Sequence, residues 1–202
     1  QSYRFRIKLP EQLSLEVTAF QAALFNLSDD IGQARARDID PELLESQRGM
    51  GQARGIELFL RRSLTRKMGG FLSSTLASSQ RFVGRSDGPS AYDRRHVLGA
   101  ALGYDWGGGF RSGVRGSFYT GVPADVAYLE AAREPPRTRP YYRIDLRSEK
   151  RFAWGDDNYL SVVLEIVNTT LNREVLRASC SAYSCKEQTI GPITIPNLGI
   201  EA

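Results

Sequence analysis

The sequence predicts an all-β protein: an antiparallel up-and-down transmembrane β-barrel of about nine strands, partial or reduced, forming one domain over residues 1–202. Three observations predict it. Apolar and polar residues alternate with a period of two along most of the chain, which sends them to opposite faces of extended strands. Short and long connections alternate strictly, as in outer-membrane barrels, where the turns are short at one end and long at the other. The polar face mixes both signs of charge, which suits ion-paired ladders between neighbouring strands.

The first strand is Tyr3-Arg4-Phe5-Arg6-Ile7-Lys8-Leu9, with every odd position apolar and every even one basic. In the second, Leu13, Leu15 and Val17 alternate with Ser14, Glu16 and Thr18; in the third, Ile56, Leu58 and Leu60 alternate with Glu57, Phe59 and Arg61. Leu72 and Leu76 flank Ser73 and Thr75 in the fourth. Leu98, Ala100, Leu102, Tyr104 and Trp106 mark the fifth, and Phe110, Val114 and Phe118 the sixth, opposed by Arg111, Arg115 and Tyr119. In the seventh, Tyr142, Ile144 and Leu146 alternate with Arg143, Asp145 and Arg147, and the charges run on through Glu149 and Arg151. Leu160, Val162, Leu164 and Ile166 make the eighth, opposite Glu165. The ninth, Thr189 to Ala202, holds Pro192 and Pro196, so it is expected to be an edge, bulged or closing strand. A turn or two of helix is expected at Leu43 to Met50 inside a loop.

Short turns fall at Leu9–Gln12, Thr65–Gly69, Trp106–Gly109 and Ala153–Asn158, and long links at Asn26–Ala53, Gln80–Asp93, Gly121–Pro140 and Thr170–Thr189. Aromatic residues gather near strand ends (Phe25, Phe71, Tyr92, Tyr104, Trp106, Phe110, Phe118, Tyr119, Tyr141, Tyr142, Phe152, Trp154, Tyr159), where interfacial girdles would place them. A mean hydropathy of −0.35 excludes no barrel, because a barrel strand shows lipid only every second residue. It does accompany the absence of any apolar run of roughly 18 residues, so helical spanning is excluded. The net charge of +4 comes from arginines spread over many strands, and no nucleic-acid partner is expected. The chain opens at Gln1 on a strand-like segment with no charged-then-apolar leader.

Two stretches resemble the C-terminal part of the barrel of TonB-dependent receptors. One is GIELFLRRSLTRKMGGFLSSTLASSQR followed by YDRRHVLGAALGYDWGGGFRSGVRGSFYTGVP, between Gly55 and Pro123; the other is YRIDLRSEKRF, a turn, and LSVVLEIVNTTL, with Asn168 where such barrels often carry an asparagine. LSLEVTAFQAALFNL fits the same style. The resemblance implies an outer-membrane receptor or transporter barrel that takes up a scarce ligand. Its partners would be outer-membrane lipid and lipopolysaccharide, a plug domain, and an inner-membrane energy-coupling protein. The chain departs from that family in its strand number, since such barrels have about 22 strands around a plug. No plug or energy-coupling box is visible, and the sequence ends Gly199-Ile200-Glu201-Ala202 without a terminal aromatic. A fragment or reduced form of such a barrel is therefore expected. A closed small barrel with a structural or narrow-pore role is the second expectation, and a soluble β-sandwich binding module the third.

The candidate functional surface is the lumen-facing polar wall: Glu16, Glu57, Arg61, Arg111, Arg115, Arg143, Asp145, Arg147, Glu149, Arg151 and Glu165. Ion-paired padding of a barrel wall would use the same residues. His96 is the one histidine and Asp93 is close to it, but the Asp93-Arg94-Arg95-His96 run reads as the polar start of a strand, and no enzyme is expected. The Ser28–Gly51 loop carries Asp29, Asp30, Asp38, Asp40, Glu42 and Glu45, but interspersed arginines and the lack of calcium-loop spacing favour a solvated loop. No metal or cofactor is expected. Cys180 and Cys185 fit a small loop disulfide, although two thiols would have the same sequence.

Overall fold

The computed structural model describes residues 1–27, 49–65, 67–83, 86–126, 135–154, 158–181 and 184–201. Its elements in chain order are β1 (Ser2–Leu9), β2 (Leu13–Leu27), β3 (Gly49–Thr65), β4 (Met68–Val83), β5 (Ser86–Pro89), β6 (His96–Gly107), β7 (Phe110–Tyr119), β8 (Asp125–Val126), β9 (Tyr141–Trp154), β10 (Asn158–Val167), β11 (Glu174–Cys180), β12 (Cys185–Ile190) and β13 (Ile195–Glu201). Nine of them lie side by side in the order β1-β2-β3-β4-β6-β7-β9-β10-β13, with β5 folded back on β4. Every neighbouring pair along that path is antiparallel. The fold is the up-and-down antiparallel sheet of the β-barrel class.

Alternation becomes register here. Phe5, Val17, Leu58, Ser74, Leu98, Phe118 and Tyr142 are successive cross-strand partners, and so are Arg62, Gly70, Leu102, Val114, Leu146, Ile166 and Pro196. One face is therefore mainly apolar across the sheet, with a few polar side chains such as Arg62, Ser74, Ser112 and Lys150 among its rows. The next rungs, Ser14–Arg61–Phe71–Ala101–Arg115–Asp145 and Glu16–Phe59–Ser73–Gly99–Ser117–Arg143, lie on the other face. Gly55 is needed inside β3 because the Phe20 ring crosses it: a Cβ there would sit 2.7 Å from the ring and 2.5 Å from the Leu76 carbonyl. Gly107, Gly108 and Gly109 all take positive φ in the β6–β7 turn, which no β-branched residue would adopt.

The four short turns and four long links alternate along the chain, so the long links share one end of the sheet. Several expectations need correction. The sheet is open: among the described residues β1 and β13 each pair with one neighbour only, so no closed small barrel forms. No sandwich forms either, since the other described sheet is the short β12-β11-β8 set, built from the long links themselves. The ninth strand starts at Ile195, because Thr189 and Ile190 end β12 and Gly191-Pro192 then turns the chain. Of the edge, bulged and closing places that its prolines allow, it takes the edge. Aromatics divide between faces: Tyr104, Trp106, Phe110, Phe118, Tyr142 and Phe152 follow the apolar register, whereas Phe71, Tyr119, Tyr141 and Tyr159 belong to the polar one. Phe71 turns to the polar side because it stands opposite Arg61, and there it meets Phe59 at 5.8 Å between ring centroids. Residues 43–48 of the expected helix and residues 29–45 of the acidic loop lie outside the described residues, while Gly49 and Met50 open β3.

Candidate functional site

The polar face divides into two sectors. On β7, β9 and β10 the charges are matched. Asp145 is buried; it accepts a hydrogen bond from the Arg115 Nε at 2.9 Å, and the Arg143 guanidinium lies beside it as an ion pair at 3.1 Å without a hydrogen bond from its Nε. Arg115 reaches on to Glu165 at 3.5 Å. Glu149 lies 3.8 Å from both Arg147 and Arg151, and the fully buried Ser161 hydroxyl joins it to Arg151. Arg111 pairs with Asp105 at 3.0 Å, and that carboxylate also accepts the Gly107 N–H. Burying a carboxylate is costly unless it is partnered in this way.

On β1 to β4 the match is looser. Glu16 is shared by Arg4 at 3.1 Å and Arg6 at 2.7 Å. Among the described residues Glu57 and Arg61 have no ionic partner, and between them stands the exposed Phe59, against Phe71. The eleven wall residues thus share one face, but the structure brings together only those of β7, β9 and β10.

Sequence reasoning missed the network at the long-link end. Asp93 is buried; its carboxylate accepts the Ser79 N–H at 2.6 Å and an Arg137 Nη at 2.5 Å, while the other Nη of Arg137 reaches the Asp93 and Gly121 carbonyls. The Asp93 carboxylate is thus committed to Arg137 and Ser79, and His96 sits opposite Leu76 in the apolar register. Arg94 pairs with Glu174 at 3.3 Å and lies 3.8 Å over the Tyr119 ring, which stacks on Tyr141 at 5.0 Å. Arg139 meets Glu187, and Arg177 meets Asp125. β8 joins β11 in parallel. Asn168, at φ 56°, holds the entry to the last link: its N–H donates to Asp145, its Nδ2 to the Asn172 and Ile193 carbonyls, and its Oδ1 accepts from Thr170 and Asn172.

These contacts tie the described residues 86–95, 120–126, 135–140, 168–181 and 184–194 into one unit, hereafter the cap. It has a core of its own. Val122, Ala124, Val175, Ala178 and Cys180 are five of the six buried apolar residues among those described. Cys180 and Cys185 form a disulfide that closes the β11–β12 hairpin. No signal short of the fold could have revealed the Asp93–Arg137 pair, since 44 residues separate its members.

The fold defines a class, a wall of antiparallel β-barrel strands with long links gathered at one end. No family model matches the sequence, and no curated protein does. Among solved structures, the ferric-catecholate import receptor Fiu from Escherichia coli K12, in its closed form, is similar over 96% of this chain at a TM-score of 0.64 and 15% identity. The chain spans about a quarter (26%) of that receptor's length. The likeness is one of fold.

Proposed function

We propose that this chain is part of the barrel wall of an outer-membrane receptor of the TonB-dependent type, serving uptake of a scarce ligand. One observation carries the reading: a predominantly apolar face that continues over nine strands, set back to back with a charged polar face. Water would not be met by Phe5, Leu58, Leu102, Leu146 and Leu198 on a soluble protein without a covering layer, and lipid is the layer a barrel uses. Grooves of about 410 Å³ beside Gly70, Ala100 and Gly116, and about 600 Å³ beside Ser112 and Ser148, suit acyl chains against that face. Fiu, an import receptor with the same fold over this length, supports the receptor reading. On it the cap faces outside the cell, near lipopolysaccharide. The polar wall, from Glu16 and Glu57 round to Glu165, lines the lumen toward a plug and an energy-coupling partner.

The test is partition. Expressed with an export signal and refolded, the chain should enter the outer-membrane fraction, bind detergent micelles, and migrate differently on gels before and after boiling. A chain that is folded and monomeric in buffer, without bound detergent, overturns the reading.

A further inference from the structure

The two edges of the sheet run the same way. Eight successive antiparallel pairings lead from β1 to β13, and an even number of reversals restores the starting direction. Both strands run from the long-link end to the short-turn end. β1 and β13 therefore cannot close the sheet by antiparallel pairing, and neither can a second copy in the same orientation, whose β13 would again run parallel to β1. A two-fold pairing of β1 with another β1 would put the two caps at opposite ends. Antiparallel closure needs one strand, or another odd number of strands, between the edges, from polypeptide outside this sheet.

The edges are built to receive it. Gln1 and Gln21 exchange both backbone bonds, so the pairs two residues apart (Tyr3–Ala19, Phe5–Val17, Ile7–Leu15) repeat that pattern, and the backbone groups of Arg4, Arg6 and Lys8 face the free edge. Tyr3, Phe5, Ile7, Leu198 and Ile200 are the apolar face's continuation, yet they stand 51–70% exposed, against 38–48% for Leu58, Leu98, Leu102 and Leu146 on inner strands. Among the described residues, each of these has a neighbouring strand on one side only. On the polar face β1 brings three cations, and the one carboxylate beside them, Glu16, serves both Arg4 and Arg6. β13 would offer only Glu201 against all three.

We infer that the free edge of β1 is a docking site for an antiparallel β-strand whose apolar residues continue the apolar face and whose alternate residues are acidic. The inference rests on the membrane-barrel reading and specifies what must complete the wall: an odd number of strands, the first of them negatively charged on its polar side.

Hydrogen exchange on the full chain in micelles tests it, with a synthetic strand peptide of alternating leucine or valine and glutamate as the probe and its lysine counterpart as control. In the monomeric chain the Arg4, Arg6 and Lys8 amides should exchange at least about tenfold faster than those of Phe5 and Ile7. The glutamate peptide should slow them by about tenfold or more and the lysine peptide should not; Lys8→Glu should weaken the glutamate peptide's effect. Equal protection of both amide sets in the chain alone overturns the inference, as self-closure if the chain is monomeric and as pairing of copies if it is not. No slowing by the glutamate peptide, or equal slowing by both peptides, overturns it as well. If the chain proves to need no detergent, the membrane reading fails on its own, and the exchange measurement is run unchanged in buffer.

Discussion

On the wall, Leu58, Leu102 and Val114 remain 40–48% exposed although they sit in the middle of a nine-stranded sheet. In the cap, Val175, Ala178 and Cys180 are 3–6% exposed although they belong to connections. The usual relation between sheet and loop is reversed. A soluble protein hides its apolar surface between layers, and its loops run over the outside. Here the strands have one layer and leave their apolar face to the surroundings, while the links must satisfy themselves. The cap does so as a small soluble fold would, with a core, a disulfide and a buried carboxylate, Asp93, paired with Arg137. The wall does so with backbone ladders and cross-strand pairs alone.

The largest expected effect breaks the cap and leaves the wall. Asp93→Ala leaves the Arg137 guanidinium without its carboxylate in a half-closed site, a change that costs about 3–5 kcal/mol where a buried pair loses one partner. Limited proteolysis should then cut between residues 120 and 194, while the gel shift on boiling stays as before. Loss of that shift together with the cap would show that the two regions fold as one.

Leu102→Arg makes the converse test. Leu102 lies on the apolar face between Gly70 and Val114, at the edge of both grooves. An arginine near the middle of a lipid-facing strand costs about 2–4 kcal/mol, and almost nothing where the face meets water. Urea unfolding in lipid vesicles and in detergent should both register the loss, with the cap's protease resistance unchanged. Next in size is the disulfide: replacing Cys180 and Cys185 by serine opens a bridge of sequence separation 5, worth about 2 kcal/mol for so short a loop. It should show in the cap's protease resistance alone.

The same contrast explains what the sequence revealed. Alternation is local, so Tyr3 to Leu9 or Tyr142 to Arg151 announce their two faces without help from any neighbour. Their register and antiparallel order then follow from the short turns. The cap carries no such period. Arg137 and Asp93, or Asp125 and Arg177, come together only because the ends of β4, β6, β7, β9 and β10 bring their links to one place. Phe71 shows the limit on the wall itself: position near a strand end suggested an interfacial aromatic, while its register put it on the polar side beside Phe59. The two cysteines, close in sequence, suited a loop disulfide without excluding two thiols; that their hairpin supplies the cap's core was not legible.

Glu16→Gln should have the smallest effect and tests the wall's polar face most directly. Glu16 holds both Arg4 and Arg6, much as Asp93 holds Arg137, so a list of contacts would rank the two carboxylates alike. Their surroundings differ: the side chains of Arg4 and Arg6 are more than 60% exposed, and water can replace what Glu16 gave them. The variant should unfold at the temperature of the parent protein within error. Any difference at about 0.05 M salt should vanish at about 0.5 M, where the Debye length is shorter than the spacing of the strands. If Glu16→Gln were as damaging as Asp93→Ala and indifferent to salt, water would be excluded from this sector of the polar face. The strand that docks on β1 would then already be in place, and the distinction between a self-sufficient cap and an open wall would fail.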